Sequence, residues 1–101
     1  MTQPLAGKQI LIVEDEPVFR SLLHGWLTSL GATTFQAEDG KDALHKMTEV
    51  HPDLMICDIS MPRMNGLELV ETLRNRGEQL PILMISATEN MADIAKALRL
   101  G

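Results

Sequence analysis

The sequence predicts an α/β fold in which helices cover both faces of a doubly wound parallel sheet. Strand-like and helix-like segments alternate four times along the chain, and three of the strand-like segments are uninterrupted apolar runs. Continuous apolar runs are typical of strands that are buried on both faces of a parallel sheet, and the alternation is typical of strand–helix–strand crossovers. With 101 residues, the chain has room for one core of this kind.

The first strand and the first helix lie near the beginning of the chain. Residues 10–13 form an apolar run that ends at the acids Glu14 and Asp15. Pro17 suits the first turn of a helix, which would run until Gly31. Its apolar residues recur at helical spacing: Phe19, Leu22, Leu23, Trp26, Leu27 and Leu30. This pattern predicts one broad apolar face, with the tryptophan in the core.

The second strand and helix are more polar. Residues 33–37 begin with two β-branched threonines but are less apolar than the other strands, which favours a position at the edge of the sheet. Asp39 is a candidate cap for a second helix that ends before Pro52, because the residue preceding a proline avoids helical geometry. The residues that should face inward are Ala43, Leu44, Met47 and Val50.

The third strand carries the most informative acid. Residues 54–57 form a second buried run, and Asp58 follows at its carboxyl end. In an open parallel sheet, ligands bind at the carboxyl ends of the strands. Pro62, Asn65 and Gly66 are typical of a turn, so a loop should present the carboxylate of Asp58.

A third helix and a fourth strand and helix complete the pattern. Asn65 can cap the third helix, with Glu68 three residues later, and Gly77 marks its end. The run 82–85 predicts a third buried strand, which ends at Ser86. The fourth helix should begin near residue 90, with apolar positions at Met91, Ile94, Ala95 and Leu98.

These elements predict the flavodoxin-like strand order 2-1-3-4, with the fifth strand and fifth helix of that fold missing from the chain. The second strand should lie at one edge, and the apolar first, third and fourth strands should be central. Without a fifth strand, the fourth becomes an exposed apolar edge. Such an edge favours a dimer or a domain swap.

Composition narrows the class of protein. The net charge of −5 and the scattered basic residues argue against non-specific binding to nucleic acid or to an anionic membrane. The single cysteine, Cys57, lies in a buried run, and a reduced, cytoplasmic setting is the expectation. The sequence shows neither a signal peptide nor an apolar run of bilayer length.

Four oxygen-bearing side chains should meet at one end of the sheet: Glu14, Asp15, Asp58 and Ser86. Clustered carboxylates repel one another unless a cation neutralises them. Mg²⁺ is the expected cation, since it prefers oxygen ligands and also binds phosphate oxygens. An aspartate beside Mg²⁺ can act as the nucleophile in phosphoryl transfer and form an aspartyl phosphate.

From Lys8 to its last residue, the chain resembles the receiver domain of two-component response regulators. The matching features are the acidic pair Glu14–Asp15, Asp58 with the loop 58–66, and the pair Ser86–Ala87. The resemblance implies an amino-terminal segment over residues 1–7 and a receiver domain over residues 8–101, truncated at the end of the fourth helix. A lysine on the missing fifth strand would normally contact the phosphoryl group.

The resemblance also implies residue roles. Asp58 would be the phosphoacceptor, and Asp15, Asp58 and the backbone carbonyl of Ser60 would bind Mg²⁺. Glu14 would act indirectly, by holding metal-bound water, although a position in solvent is also open. Ser86 would be the switch hydroxyl and bind the phosphate together with the backbone of Ala87. Ser86 could instead cap the fourth helix.

Within the family, residues 7–16 and 86–101 are similar to an adaptor that hands the general-stress sigma factor to the ClpXP protease. A histidine kinase or a small phosphodonor would phosphorylate the chain, and sigma factor, protease or anti-adaptor proteins would bind through the fourth-helix face. The chain would act as a switch and not as an enzyme.

Three alternatives remain open. The first is an adaptor that binds its partner without phosphate. The second is a Mg²⁺-dependent phosphatase, although Ser60 stands where a second acid is expected. The third is a flavodoxin-type binding module, although acids follow the first strand in place of a glycine-rich loop.

Overall fold

The computed structural model of the chain describes residues 3–59, 61 and 64–85. Its elements are β1 (Gln9–Val13), α1 (Pro17–Ser29), β2 (Thr33–Ala37), α2 (Gly40–Lys46), β3 (Leu54–Asp58), α3 (Gly66–Asn75) and β4 (Ile82–Ile85). The strands form one parallel sheet in the order β2-β1-β3-β4, which confirms the predicted fold class and strand order. The predicted fourth helix lies outside the described residues.

The register of the sheet brings the carboxyl ends of the strands level with one another. Val13, the last residue of β1, pairs with Cys57 in β3 and with Ala37 in β2. Asp58 pairs with Ile85 at the end of β4. The connections that follow these strands therefore begin at the same edge of the sheet, where ligands bind in folds of this type.

Each described helix begins at a side chain that accepts a hydrogen bond from its first turn. Asp39 accepts one from the amide of Asp42 at 2.8 Å, and Asn65 forms a capping box with Glu68. The sequence predicted both of these caps, and the structure confirms them. At α1 the cap is Glu16, which accepts a hydrogen bond from the amide of Phe19 at 2.7 Å. The sequence pattern did not predict this role.

Two apolar layers enclose the sheet. The layer under α2 and α3 contains Leu11, Val13, Ala37, Ala43, Met55, Cys57, Leu69, Leu73 and Leu80. The layer on the other face lies under α1 and contains Ile10, Ile12, Leu27, Ala32 and Ile56. Side chains of β1 and β3 alternate between the two layers, which explains why both strands are apolar throughout.

The prediction that Trp26 lies in the core is wrong. Its side chain is 60% exposed, and Val18, Phe19 and Leu22 on the same helix are also exposed. Helix α1 packs on β1 and β2 and buries Leu27 completely and Leu23 in part. Its apolar stripe is wider than the part of the helix that contacts the sheet, so the spacing alone could not show which apolar residues are covered.

Helix α2 is shorter than its apolar spacing suggested. It ends at Lys46, and a turn follows in which the amides of Thr48 and Glu49 bond to the carbonyls of His45 and Lys46. Val50 is partly buried beyond this turn. None of the helices among the described residues is sufficiently long and apolar to span a membrane.

The described part of the amino-terminal segment, residues 3–7, lies against the turn between α1 and β2. The amide of Leu5 bonds to the carbonyl of Leu30 at 2.9 Å, and Leu5 packs against the apolar layer under α1. Gly31 adopts a φ of 101°, and a Cβ there would lie 3.0 Å from the amide nitrogen of Ala6. Glycine is therefore required at this turn for both its conformation and its size.

Candidate metal and phosphoacceptor site

Three carboxylates meet at the carboxyl edge of the sheet. One ligand oxygen from each of Glu14, Asp15 and Asp58 lies within 4.8 Å of the others. Asp58 ends β3, and the two other acids follow β1, which pairs with β3 up to Val13 and Cys57. The structure thus brings together the three acids that the sequence singled out.

Glu14 is buried and does not lie in solvent. Its side chain is 4% exposed, and its Oε2 has no hydrogen-bond partner among the described residues. Burial raises its pKa from 4.5 to about 8, and the hydrogen bond and negative charge of Asp58 and the charge of Asp15 act in the same direction. Glu14 is therefore a buried carboxyl group whose charged form would be stabilised by a nearby cation.

This donor set fits a hard divalent cation. Three carboxylates can supply oxygen ligands, and the unpartnered Oε2 of Glu14 faces an environment in which a cation would relieve both its burial and its repulsion. Asp15 is exposed, so that solvent and a phosphate group can reach the cluster from its side. Mg²⁺ prefers oxygen ligands of this kind and retains several waters.

The connection between β1 and α1 is fixed by bonds to its main chain. The amide of Glu14 bonds to the carbonyl of Ala37 at 3.0 Å, which extends the pairing of β1 with β2 by one residue. The carbonyl of Glu14 accepts a 2.7 Å hydrogen bond from the guanidinium of Arg20. The sequence did not predict this role of Arg20, because no pattern indicates that a side chain of α1 bonds to the connection that precedes the helix.

The main chain around Asp58 is equally constrained. The amide of Ile59 bonds to the carbonyl of Ile85, and the amide of Gly66 bonds to the carbonyl of Ile59 at 2.9 Å. Gly66 lies so close to Asp58 that a Cβ would come within 2.2 Å of the Asp58 carbonyl oxygen. The loop after β3 therefore returns to its own starting point, and α3 begins directly beside the phosphoacceptor candidate.

The remaining predicted site residues, Ser60, Ser86 and Ala87, lie outside the described residues. The register nevertheless fixes the end of the described β4, because Ile85 pairs with Asp58.

Cys57 is the other reactive residue type beside the site, and its environment suppresses its reactivity. It is completely buried, and burial raises the pKa of its thiol to about 12, with Asp58 and Glu14 contributing through their charges. A thiol with so high a pKa forms almost no thiolate near neutral pH and is a poor nucleophile. Packing explains its presence in β3.

The fold and this cluster agree with a family match. A model of the response regulator receiver domain matches residues 10–101. The chain belongs to the response regulator receiver family. Across its whole length this receiver is 74% identical to the Regulator of RpoS from Escherichia coli. It is 36% identical over 93 residues to the two-component response regulator PhoP from Pseudomonas aeruginosa.

The receiver spans only part of these relatives. It covers 30% of the length of the Regulator of RpoS and 41% of that of PhoP. Among solved structures, a response regulator receiver protein from Pseudomonas putida matches 95% of this chain and 81% of its own with a TM-score of 0.90 at 28% identity. The response regulator protein TrrA from Thermotoga maritima, in complex with Mg²⁺-BeF, matches 90% of this chain and 79% of its own with a TM-score of 0.81 at 34% identity.

Proposed function

We propose that this receiver is a phosphorylation switch in which Asp58 accepts a phosphoryl group. The observation that carries the proposal is the position of Asp58 at the end of a buried strand, with oxygens of Glu14 and Asp15 within 4.8 Å. The phosphodonor would be a histidine kinase or a small molecule such as acetyl phosphate. The similarity to TrrA, a structure of a Mg²⁺-BeF complex, supports a metal and phosphoryl site at this edge.

The residues that would hold Mg²⁺ are Asp15, Asp58 and, through its backbone carbonyl, Ser60. Glu14 would contribute through metal-bound water, for which its buried and unpartnered Oε2 is suited. Bound Mg²⁺ would offset the negative charge of the phosphoryl oxygens as it increases during transfer. Without the metal, the acidic cluster would repel an incoming phosphate.

The chemistry assigned to the protein is a nucleophilic substitution. A carboxylate oxygen of Asp58 attacks the phosphorus of acetyl phosphate and forms a P–O bond to the protein. The bond from phosphorus to the acetyl oxygen breaks, and acetate leaves with that electron pair. The bonds of Ile59 to Ile85 and of Gly66 to Ile59 hold the main chain next to Asp58, which would limit the positions from which its carboxylate can attack. Ser86 and the amide of Ala87 would donate hydrogen bonds to the transferred phosphoryl group.

The functional output would be a change in partner affinity and not a released product. A phosphoryl group on Asp58 adds negative charge and acceptor oxygens, which would draw in Ser86 and alter the fourth-helix face. The partners we propose are the general-stress sigma factor, the ClpXP protease and anti-adaptor proteins, in the cytoplasm. The 74% identity to the Regulator of RpoS supports this choice of pathway.

Intact mass of the full-length protein after incubation with Mg²⁺ and acetyl phosphate tests the phosphoacceptor role. We expect a gain of one phosphoryl group in the wild type and in Asp53→Asn, and no gain in Asp58→Ala. Asp53 is a suitable control because it directly precedes β3, at the opposite end of the strand, and accepts a hydrogen bond from the amide of Gln9. An equal gain in Asp58→Ala would exclude Asp58 as the acceptor.

The second candidate is an adaptor that binds its partner without phosphate, and the similarity to the Regulator of RpoS also favours it. The affinity of the full-length protein for the sigma factor, measured with and without acetyl phosphate, separates the two. A phosphate-dependent switch should bind more tightly with the phosphodonor and lose this gain in Asp58→Ala. Equal affinities in all four conditions would support the adaptor that needs no phosphate.

A further inference from the structure

The turn between β2 and α2, residues 37–40, contributes no acid to the cluster and yet contacts both connections that carry it. The carbonyl of Ala37 accepts a hydrogen bond from the amide of Glu14 at 3.0 Å. Three residues later, the amide of Gly40 donates a 3.0 Å hydrogen bond to the carbonyl of Met64, in the loop after β3. The turn therefore joins the segment that bears Glu14 to the loop that follows Asp58.

Gly40 makes its contact with Met64 possible because it has no side chain. A Cβ on Gly40 would lie 2.6 Å from Cγ, 2.7 Å from the carbonyl oxygen and 2.8 Å from Cβ of Met64. These distances are shorter than van der Waals contact, and one of them involves the main chain, which cannot move aside as a flexible side chain can. Any larger residue would have to separate the first turn of α2 from the loop.

The turn is largely buried and hydrogen-bonded. Asp39 is 1% exposed and caps α2 through the amide of Asp42, and Gly40 is buried as the first residue of that helix. On the other side of the contact, Met64 lies two residues before Gly66, whose main chain packs against the carbonyl of Asp58. A displacement of Met64 would therefore be passed to Gly66, which already lies close to the main chain of Asp58.

We propose that Gly40 is a positioning residue for the metal and phosphoacceptor site. It holds Met64, and with it the nearby Gly66 main chain that lies against the Asp58 carbonyl, in place beside the three-carboxylate cluster. This role rests on the proposed function, because the Gly40–Met64 contact is proposed to support the same Mg²⁺ and phosphoacceptor site. It adds a residue from outside the site, at the start of α2, which supplies no ligand.

Gly40→Ala in the full-length protein tests the proposal, with Gly25→Ala as the matched control. Gly25 lies in α1, and a Cβ there would meet no atom within 4 Å. We expect Gly40→Ala to raise the dissociation constant for Mg²⁺, measured by calorimetry, roughly 10-fold, as changes to groups that orient metal ligands commonly do. Gly25→Ala should leave it unchanged. An unchanged constant in a folded Gly40→Ala protein would overturn the proposal.

Amide hydrogen exchange on the wild type tests the same coupling without a substitution, and it applies even if Gly40→Ala does not fold. If the Gly40–Met64 contact favours Mg²⁺ binding, then Mg²⁺ must stabilise the contact to the same extent. Bound Mg²⁺ stabilises the whole fold and can slow both amides, so exchange of the Gly40 amide should slow by a larger factor than that of the Gly25 amide when Mg²⁺ is added. Equal exchange of the Gly40 amide with and without Mg²⁺ would contradict the proposal.

These measurements also separate the positioning role from the proposed function. If the wild type binds Mg²⁺ but takes no phosphoryl group from acetyl phosphate, the switch fails, while a weaker Mg²⁺ affinity in Gly40→Ala still supports the positioning role. If both variants take up phosphate and bind Mg²⁺ equally, the switch stands and the positioning role is wrong. A wild type that binds no Mg²⁺ would overturn both.

Discussion

Arg20 holds the carbonyl of Glu14 from the first turn of α1, through a 2.7 Å hydrogen bond between its guanidinium and the carbonyl oxygen. The bond spans six residues and closes the connection that carries Glu14 and Asp15. It also places a positive charge on the same short segment as two acids. Arg20 therefore ties the first turn of α1 to the connection that carries Glu14 and Asp15.

Arg20→Met should destabilise the metal-free protein by about 1–3 kcal/mol, because it leaves a partly buried carbonyl without its donor. It should also weaken Mg²⁺ binding, since the connection loses its anchor. Arg20→Lys keeps the charge and should recover part of both losses. Urea unfolding and Mg²⁺ titration of the three proteins check this. Wild-type values in Arg20→Met would show that the hydrogen bond is dispensable.

Mg²⁺ should raise the stability of the wild type. A ligand that binds only the folded state at ten times its dissociation constant adds about 1.4 kcal/mol to the free energy of unfolding. Asp15→Asn should lose most of this gain, because it removes one of the proposed Mg²⁺ ligands. Asp15 is exposed, so the substitution leaves no cavity in the protein. Thermal unfolding with and without Mg²⁺ measures the effect. An equal gain in Asp15→Asn would remove Asp15 from the ligand set.

Glu14 should make the stability of the metal-free protein fall with rising pH. Its pKa is about 8 in the folded state against an ordinary value of 4.5, so the folded protein keeps a proton that the unfolded chain releases. The contribution of this proton to the free energy of unfolding is complete below pH 4.5 and is lost as the pH rises towards 8. Urea unfolding between pH 5 and 8 in the presence of a chelator should show this decline. Glu14→Gln should flatten it, and identical slopes would contradict the assignment.

Gly66→Ala should destabilise the protein strongly, since its Cβ would come within 2.2 Å of the Asp58 carbonyl oxygen. Forcing extra atoms into a packed site typically costs about 1–3 kcal/mol. Gly25→Ala, on an open helix surface, should instead stabilise the protein by up to about 1 kcal/mol, because alanine is the better helix former. Opposite shifts of the melting temperature are expected. Similar shifts would show that the loop has room to adjust.

Much of the fold could be predicted because the strands and helix starts have local signatures. The runs 10–13, 54–57 and 82–85 correspond to β1, β3 and β4, and the caps Asp39 and Asn65 begin the expected helices. The three acids could be found for the same reason, because an acid at the end of a buried strand is visible in the sequence. Their convergence then followed from the parallel order of the strands.

What sequence reasoning missed depends on contacts between distant segments. Burial of Glu14, the bond from Arg20 and the approach of Gly40 to Met64 are tertiary features that leave no periodic pattern. Trp26 shows the opposite error. Its helical spacing is the same as that of Leu23, which is partly buried, and only the position of α1 on the sheet separates the two.

The exposed indole of Trp26 gives the chain a natural optical reporter. It is the single tryptophan of the sequence and lies on the same side of α1 as the exposed Phe19 and Leu22. With 60% of the residue in contact with solvent, its fluorescence should be red-shifted and readily quenched by iodide or acrylamide. Anything that covers α1, whether another segment or another protein, should shift this emission to the blue and protect it from the quencher. The coverage of that helix can thus be followed in real time without a label.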